Sequence, residues 1–341
     1  MRTGRPGASQ DVNRPSRDQS IRLTKRIRPV RPDSTRAPGN HDHQIRLKDG
    51  RRLAYTDLGD PLGYPVLFGH GMPGCRLEGH FLDRQARRFG LRIITPDRPG
   101  IGLSDYRERP TLLDYPDDIR QLIDTLKLPR FSHLGWSSGG SRVLACGHAL
   151  ADRMDLGACL SGYTHFQEFP GRNRLIESTR WPGPRLARLS PTLLKLVVRL
   201  VVRFSRRHPG LYMREARQMV SEQDRSLLRT FLKGEYFRWD QLECLNSGAR
   251  AIASDLLTEL GDWGFNLNSV KAPILVYQGG QDPFIPVDYA RHLADNLPHA
   301  DLVLMPEAGH LYPLAERFQE NLFQRLNQHL NNQPGELRTA R

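Results

Sequence analysis

Leu134-Gly135-Trp136-Ser137-Ser138-Gly139-Gly140 decides the reading of this chain, because it passes from a buried strand through a forced turn into a helix start. Phe131, His133 and Leu134 form a short strand before it, and Arg142-Val143-Leu144-Ala145-Cys146 follow as an apolar helical run. The spacing G-x-S-x-G removes the β-carbons two residues either side of Ser137, which so sharp a turn could not accommodate. Ser137 is thereby lifted clear of the backbone at a helix N-terminus, where unpaired N–H groups favour negative charge. It is the candidate nucleophile, and the N–H of Ser138 is a candidate donor to an oxyanion.

Working outward, short apolar runs alternate with amphipathic stretches. Ile45 and Leu47, the Asp49-Gly50 turn, then Leu53 and Tyr55 predict an edge hairpin. Pro65–Phe68, Leu91–Thr95, Phe131–Trp136, Leu156–Leu160, Pro273–Tyr277 and Leu302–Met305 read as buried strands. Helices are expected over about Arg76–Phe89, Leu112–Leu126 and Leu314–Leu330. The pattern predicts an α/β fold, a mostly parallel eight-stranded sheet with helices on both faces. From Gly162 to Asn268 the alternation stops, which predicts a helical cap inserted after the sixth strand. The expected layout is a disordered basic tail over 1–40, core over 41–162 and 269–332, cap over 163–268, and a flexible tail over 333–341. Within the cap, Lys195, Arg199 and Arg203 form a cationic stripe beside an apolar face of Leu194, Val197, Val198, Val201 and Val202. That helix is expected to pack as part of the cap, with membrane-surface docking and dimerisation as the other readings.

The net charge of +13 points towards nucleic acid less than its sum suggests. Residues 1–40 hold nine Arg, one Lys and three Asp, so seven of those charges sit in a segment with five prolines and no apolar period. No nucleic-acid partner is expected, and comparing retention with and without this segment across salt would test that. The cysteines at 75, 146, 159 and 244 are widely separated, which argues against a zinc site or a disulfide framework and for reduced, mostly buried thiols. No apolar run reaches the roughly 18 residues of a membrane span, and the N-terminus lacks the apolar segment of a secretory signal. A cytoplasmic protein without stable membrane insertion is expected, with a homo-oligomer left open.

Acyl transfer by serine needs a base for the hydroxyl proton and a carboxylate to orient that base. Asp282 and His310 each follow an apolar strand directly, and the order Ser137, Asp282, His310 completes a candidate triad. With His70-Gly71-Met72-Pro73-Gly74, Asp97-Arg98-Pro99-Gly100-Ile101-Gly102-Leu103-Ser104 and Gly309-His310, these motifs mark a resemblance from Gln44 to about Leu330. Over that span the chain resembles the α/β-hydrolase superfamily, particularly its capped esterase-like and proline-iminopeptidase-like members. The resemblance implies an oxyanion hole from the backbone of Met72 and Ser138, and structural roles for His70, Asp97 and Arg98.

Departures narrow it. Serine at position 137 stands where haloalkane dehalogenases and epoxide hydrolases carry aspartate and dienelactone hydrolases cysteine. Met72 stands where iminopeptidases commonly have glycine, and no acidic cluster for a substrate amine can be pointed to in the cap. The expectation is a cofactor-free, metal-free serine hydrolase acting on carboxylic esters of a small-molecule substrate. Carbon–carbon bond hydrolysis, aminopeptidase action and non-catalytic ligand binding on the same fold are the alternatives.

Overall fold

A computed structural model describes residues 42–169, 183–231 and 236–332. The expected tails over 1–40 and 333–341 lie outside the described residues, as do 170–182 of the expected cap. The strands β1 (Asp42–Arg46), β2 (Arg52–Gly59), β3 (Tyr64–Gly69), β4 (Leu91–Pro96), β5 (Phe131–Trp136), β6 (Met154–Leu160), β7 (Ile274–Gly279) and β8 (Ala300–Met305) build one sheet. Their order is β1-β2-β4-β3-β5-β6-β7-β8. β2 is antiparallel to both β1 and β4, and every later neighbour is parallel. This is the α/β, mostly parallel, eight-stranded architecture that the strand and helix alternation predicts.

The period of two explains why the central strands read as unbroken apolar runs. Leu67, Ile94, Phe131, Ile274 and Val276 face one core, while Val66, Phe68, Ile93, Leu134, Leu275 and Tyr277 face the other. Helices α2 (Asp114–Thr125), α3 (Gly139–Ala149) and α10 (Val287–Asn296) cover the first face through Ile119, Leu122, Val143 and Leu293. Helices α1 (Asp83–Phe89) and α11 (Glu316–Asn331) cover the second through Ala86, Leu322, Phe323 and Leu326. The helix expected from Arg76 divides in two: Arg76–Leu82 is a 3₁₀ turn and only Asp83–Phe89 is α-helical. The tighter turn lies directly on the sheet, since Thr56 Oγ1 donates to the Arg76 carbonyl at 2.8 Å and a β-carbon at Gly79 would stand 2.1 Å from Thr95 Oγ1.

Between β6 and β7 lie α4 (Gly183–Leu189), α5 (Pro191–Arg207), α6 (Pro209–Met219), α7 (Glu222–Phe231), α8 (Tyr236–Asn246) and α9 (Ala249–Leu260). α5 begins on a built cap: the Ser190 hydroxyl accepts the Leu193 N–H at 3.2 Å, and Pro191 takes the first turn, where no donor is needed. Leu194, Val198 and Val202 of α5 pack with Ala251, Ile252 and Leu256 of α9 against Cys75, Leu77 and Ile101 from the loops after β3 and β4. The expected apolar face of α5 is thus divided, because Val201 stays exposed and Val197 only half-buried. Among the described residues no helix is long and apolar enough to cross a membrane.

Candidate active site

β5 delivers Ser137 at its C-terminal end, two residues before α3 begins. Ser137 holds φ +53°, a left-handed conformation costly for a residue with a β-carbon. Two backbone hydrogen bonds keep it there: its N–H donates to the Leu160 carbonyl at 2.8 Å and its carbonyl accepts from Gly140 N–H at 2.9 Å. The flanking glycines are required by contact. A β-carbon at Gly135 would stand 2.3 Å from the Gly139 carbonyl oxygen, and one at Gly139 would stand 2.0 Å from that of Gly69. Of the adjacent serines, Ser137 is half-buried, whereas Ser138 is fully enclosed and its hydroxyl donates to Glu259.

Asp282 follows β7 and His310 follows β8, and the structure brings them into contact with Nδ1 and Oδ2 2.7 Å apart. The other carboxylate oxygen accepts the N–H groups of Phe284 and Ile285 at 2.8 and 2.9 Å. Burial alone would raise the Asp282 carboxyl, but the His310 charge, its hydrogen bond and these two N–H groups outweigh it and hold the group below its ordinary range. An ionised carboxylate cannot donate, so in the neutral imidazole the proton sits on Nδ1 and Nε2 is left as the acceptor. The His310 carbonyl accepts the indole N–H of Trp136 at 3.1 Å, which ties the histidine loop to the residue before the candidate nucleophile. Among the described residues no hydrogen bond joins the Ser137 hydroxyl to the imidazole. That hydroxyl needs only rotation about its own side-chain bonds to seek a partner.

The loop after β3 passes the elbow closely, since a β-carbon at Gly71 would stand 3.7 Å from Ser137 Cβ. Among the described residues neither the Met72 nor the Ser138 backbone N–H donates a hydrogen bond, so two unmet donors flank the serine. His70 braces the loop. Its Nε2 accepts the Arg98 N–H at 3.3 Å, which leaves Nδ1 to donate to the Gly71 carbonyl at 2.9 Å. Burial first, and then the Arg98 charge, hold its pKa well below the ordinary histidine value, so it stays neutral.

The sequence profile described as the alpha/beta hydrolase fold matches residues 64–314. The chain belongs to the α/β hydrolase fold family. It is 27% identical over 288 residues to a 2-hydroxy-6-oxononadienedioate/2-hydroxy-6-oxononatrienedioate hydrolase of Burkholderia vietnamiensis, covering 80% of this chain and 90% of that one. Among solved structures, a thermophilic esterase from Thermogutta terrifontis superposes with TM-score 0.61 at 23% identity, over 85% of this chain and 98% of that one. The enol-lactonase from Burkholderia xenovorans does so with TM-score 0.60 at 17% identity, over 85% and 100%. At these identities the two superpositions speak for the fold alone.

In this α/β hydrolase the helical insertion grips both candidate oxyanion segments, which local sequence does not reveal. Arg98 donates from its guanidinium to the carbonyls of His70 and Gly71 and to Asp255 Oδ1 at 2.9 Å. Arg142 donates to the same Oδ1 at 2.9 Å and to the Ser138 carbonyl at 3.0 Å. Glu259, one turn along α9 from Asp255, accepts from the hydroxyls of Ser138 and Ser141. One buried carboxylate thus holds two arginines, and each arginine holds one of the two segments. Asp224 of α7 acts on the histidine loop in the same way, accepting the N–H groups of His310 and Leu311 at 2.8 and 2.9 Å. Gly309 has to be glycine there, because a β-carbon would stand 2.2 Å from Asp224 Oδ2.

A buried acidic pair also stands at the loop after β3, Glu78 from the 3₁₀ turn that follows that loop and Asp240 from the insertion, where the sequence lets no acidic cluster be pointed to. Glu78 accepts the Gly71 N–H at 2.6 Å and Asp240 of α8 accepts the Cys75 N–H at 2.7 Å. Their remaining oxygens lie 3.1 and 3.4 Å from the place of a Gly74 β-carbon, and Asp240 Oδ2 has no partner among the described residues. Burial raises the Glu78 carboxyl well above its usual range and pushes Asp240 up to about 7. A raised carboxyl favours the folded state in its protonated form. The stability Asp240 contributes is therefore present below its ordinary value of 3.8 and lost as the pH rises to about 7. Urea unfolding of the parent and of Asp240→Asn across that window should show the parent losing stability relative to the variant as the pH rises; a difference that does not change with pH would count against the assignment. Among the described residues no three acidic, histidine or cysteine side chains group as metal ligands, and all four cysteines are free and buried.

Proposed function

We propose that this α/β hydrolase is a cofactor-free serine hydrolase that cleaves carboxylic esters of a small or medium-sized substrate through an acyl-enzyme. The observation that carries the reading is the 2.7 Å contact of His310 with Asp282, on a loop tied through Trp136 to the strained Ser137. In the first half-reaction His310 Nε2 takes the Ser137 proton as Oγ bonds to the ester carbon. The carbonyl oxygen then carries the charge beneath the N–H groups of Met72 and Ser138. Collapse breaks the bond to the alcohol, which leaves with the proton from His310. Water, deprotonated by the same Nε2, cleaves the acyl–Ser137 bond and returns the proton to Oγ. The helical insertion is the cap, and Val198, buried in the cluster that touches Met72, makes it the element that reads the acyl chain.

Carbon–carbon bond hydrolysis is the second reading, favoured by the name of the Burkholderia vietnamiensis relative. That name describes a dicarboxylate. Here the acids Glu78 and Asp240 adjoin the oxyanion loop, while Arg98 and Arg142 are both held by Asp255, so the surroundings suit an uncharged acyl group better. A panel of p-nitrophenyl esters of graded chain length, run beside aminoacyl-arylamides and a vinylogous keto-acid, separates these readings. Ester turnover should exceed the others by orders of magnitude, with a fluorophosphonate blocking it at Ser137. Faster cleavage of the keto-acid would reverse the order of the two readings, and failure of the fluorophosphonate to label would favour a non-catalytic ligand-binding role.

A further inference from the structure

Helix α5 carries three stripes, stepped round its axis by about 100° per residue. Leu194, Val198 and Val202 are buried in the insertion's core. One residue on, Lys195, Arg199 and Arg203, joined by Arg206 and Arg207, line a cleft of about 1590 Å³ that runs between α5, α9 and the 106–111 loop. Among the described residues none of these five cations makes an ion pair or a hydrogen bond, and the acids on the cleft wall, Glu108 and Asp262, are directed at Arg250 and His165. One residue further, Leu196 and Leu200, which also line the cleft at its α5 side, run on with Phe204, Leu193 and Val201 as an exposed apolar ridge; Leu200 is 57% exposed. Leu189 before the helix and Leu211 and Met219 of α6 are also exposed.

We propose that this face of the insertion is a docking surface for an anionic lipid bilayer, with the Leu196–Leu200–Phe204 ridge in the acyl–headgroup boundary and the Lys195–Arg199–Arg203 row on the lipid phosphates. Charge complementarity selects the occupant. A second copy of the chain would bring the same unpaired cations, on a molecule of net charge +13, against its own row. A nucleic acid would neutralise the cations but leave the leucines and Phe204 in water. A bilayer rich in anionic headgroups satisfies both stripes at once, as an interfacial amphipathic helix requires. The buried stripe of α5 shares its cluster with Met72, so docking places the membrane on the roof of the candidate site.

The four native cysteines are buried, so an environment-sensitive fluorophore can be placed on a single introduced thiol. The full-length Leu200→Cys protein carrying this label should shift its emission to the blue on phosphatidylglycerol-containing vesicles. It should shift little on phosphatidylcholine alone, and the same label on Leu62→Cys, where Leu62 is 95% exposed on the core, should not respond. Arg199→Glu/Arg203→Glu should weaken vesicle partition by about thirtyfold or more while kcat on a soluble ester is unchanged. Three results would overturn the proposal: no shift at position 200, partition that survives the double charge reversal, or a shift that follows protein concentration in the absence of vesicles, which would mark self-association.

Discussion

Ser137→Ala and His310→Ala are each expected to lower ester turnover by about 10⁶, and the double variant to fall little further. The hydroxyl is a poor nucleophile until the imidazole accepts its proton, and the imidazole is useful only while its Nε2 is bare. Each loss therefore disables the same step. Asp282→Asn should cost about 10⁴, because an amide can present a donor to Nδ1 and so stabilise the wrong tautomer. The donors at Met72 and Ser138 remain in every variant, which is why a residual rate over the uncatalysed reaction is expected. Single-turnover kinetics on the best ester of the panel provide the measurement. Ser137→Ala that keeps most of its activity would remove the acyl-enzyme from consideration. Loss of activity in Ser138→Ala with retention in Ser137→Ala would move the nucleophile by one residue, although the enclosure of the Ser138 hydroxyl against Glu259 argues for the opposite result.

Asp255→Ala should have the largest effect of any change away from the reacting atoms. Asp255 Oδ1 is shared by Arg98 and Arg142, whose side chains are only 2% exposed, so deleting it takes the buried carboxylate from Arg98 and leaves Arg142 with Glu259 alone, 3.1 Å from its guanidinium. Removing one partner from such a buried arrangement costs about 3–5 kcal/mol, most of it the penalty on the charge left behind. Turnover should fall by about 10² to 10³, comparable with losing one oxyanion donor, because the His70-Gly71-Met72 and Ser138 segments are each held through one of those arginines. KM should move far less than kcat if the loss is felt at the developing oxyanion. Denaturant unfolding and steady-state kinetics on the same preparation test both halves. A variant within about 1 kcal/mol of the parent and with its kcat intact would show that Glu259 and the loop carbonyls hold the arginines unaided.

The sheet was legible from the chain because each strand announces itself locally. Phe131–Trp136 is a short apolar run, and in the fold its alternate residues fill the two cores. The elbow was legible for the same reason: the contacts that forbid a β-carbon at Gly135 and Gly139 lie within the elbow itself and on the neighbouring strand β3, so the two glycines record them in the sequence. Asp282 and His310 could be named because each stands just past a recognisable strand. The division of the helix expected from Arg76 is not legible locally, since the contacts that seat the 3₁₀ turn over Arg76–Leu82 on the sheet, the Thr56 hydrogen bond and the close approach of Gly79 to Thr95, come from strands outside it.

What only the tertiary structure decided is which groups of the insertion reach the candidate site. Asp224 meets the backbone of His310 across 86 residues, Asp255 meets Arg142 across 113 and Glu259 meets Ser138 across 121. An acid on an amphipathic helix looks the same whether it faces water or a buried guanidinium, so nothing near these residues marks them. Likewise the apolar face expected on α5 comprises Leu194, Val197, Val198, Val201 and Val202, yet the packing of α5 buries Leu194, Val198 and Val202, leaves Val201 exposed, and leaves a further row of Leu196, Leu200 and Phe204 exposed beside it. Periodicity and turn chemistry act between near neighbours and are written into the chain, whereas the partner of a buried charge and the fate of a second apolar face depend on which distant segments the fold brings together.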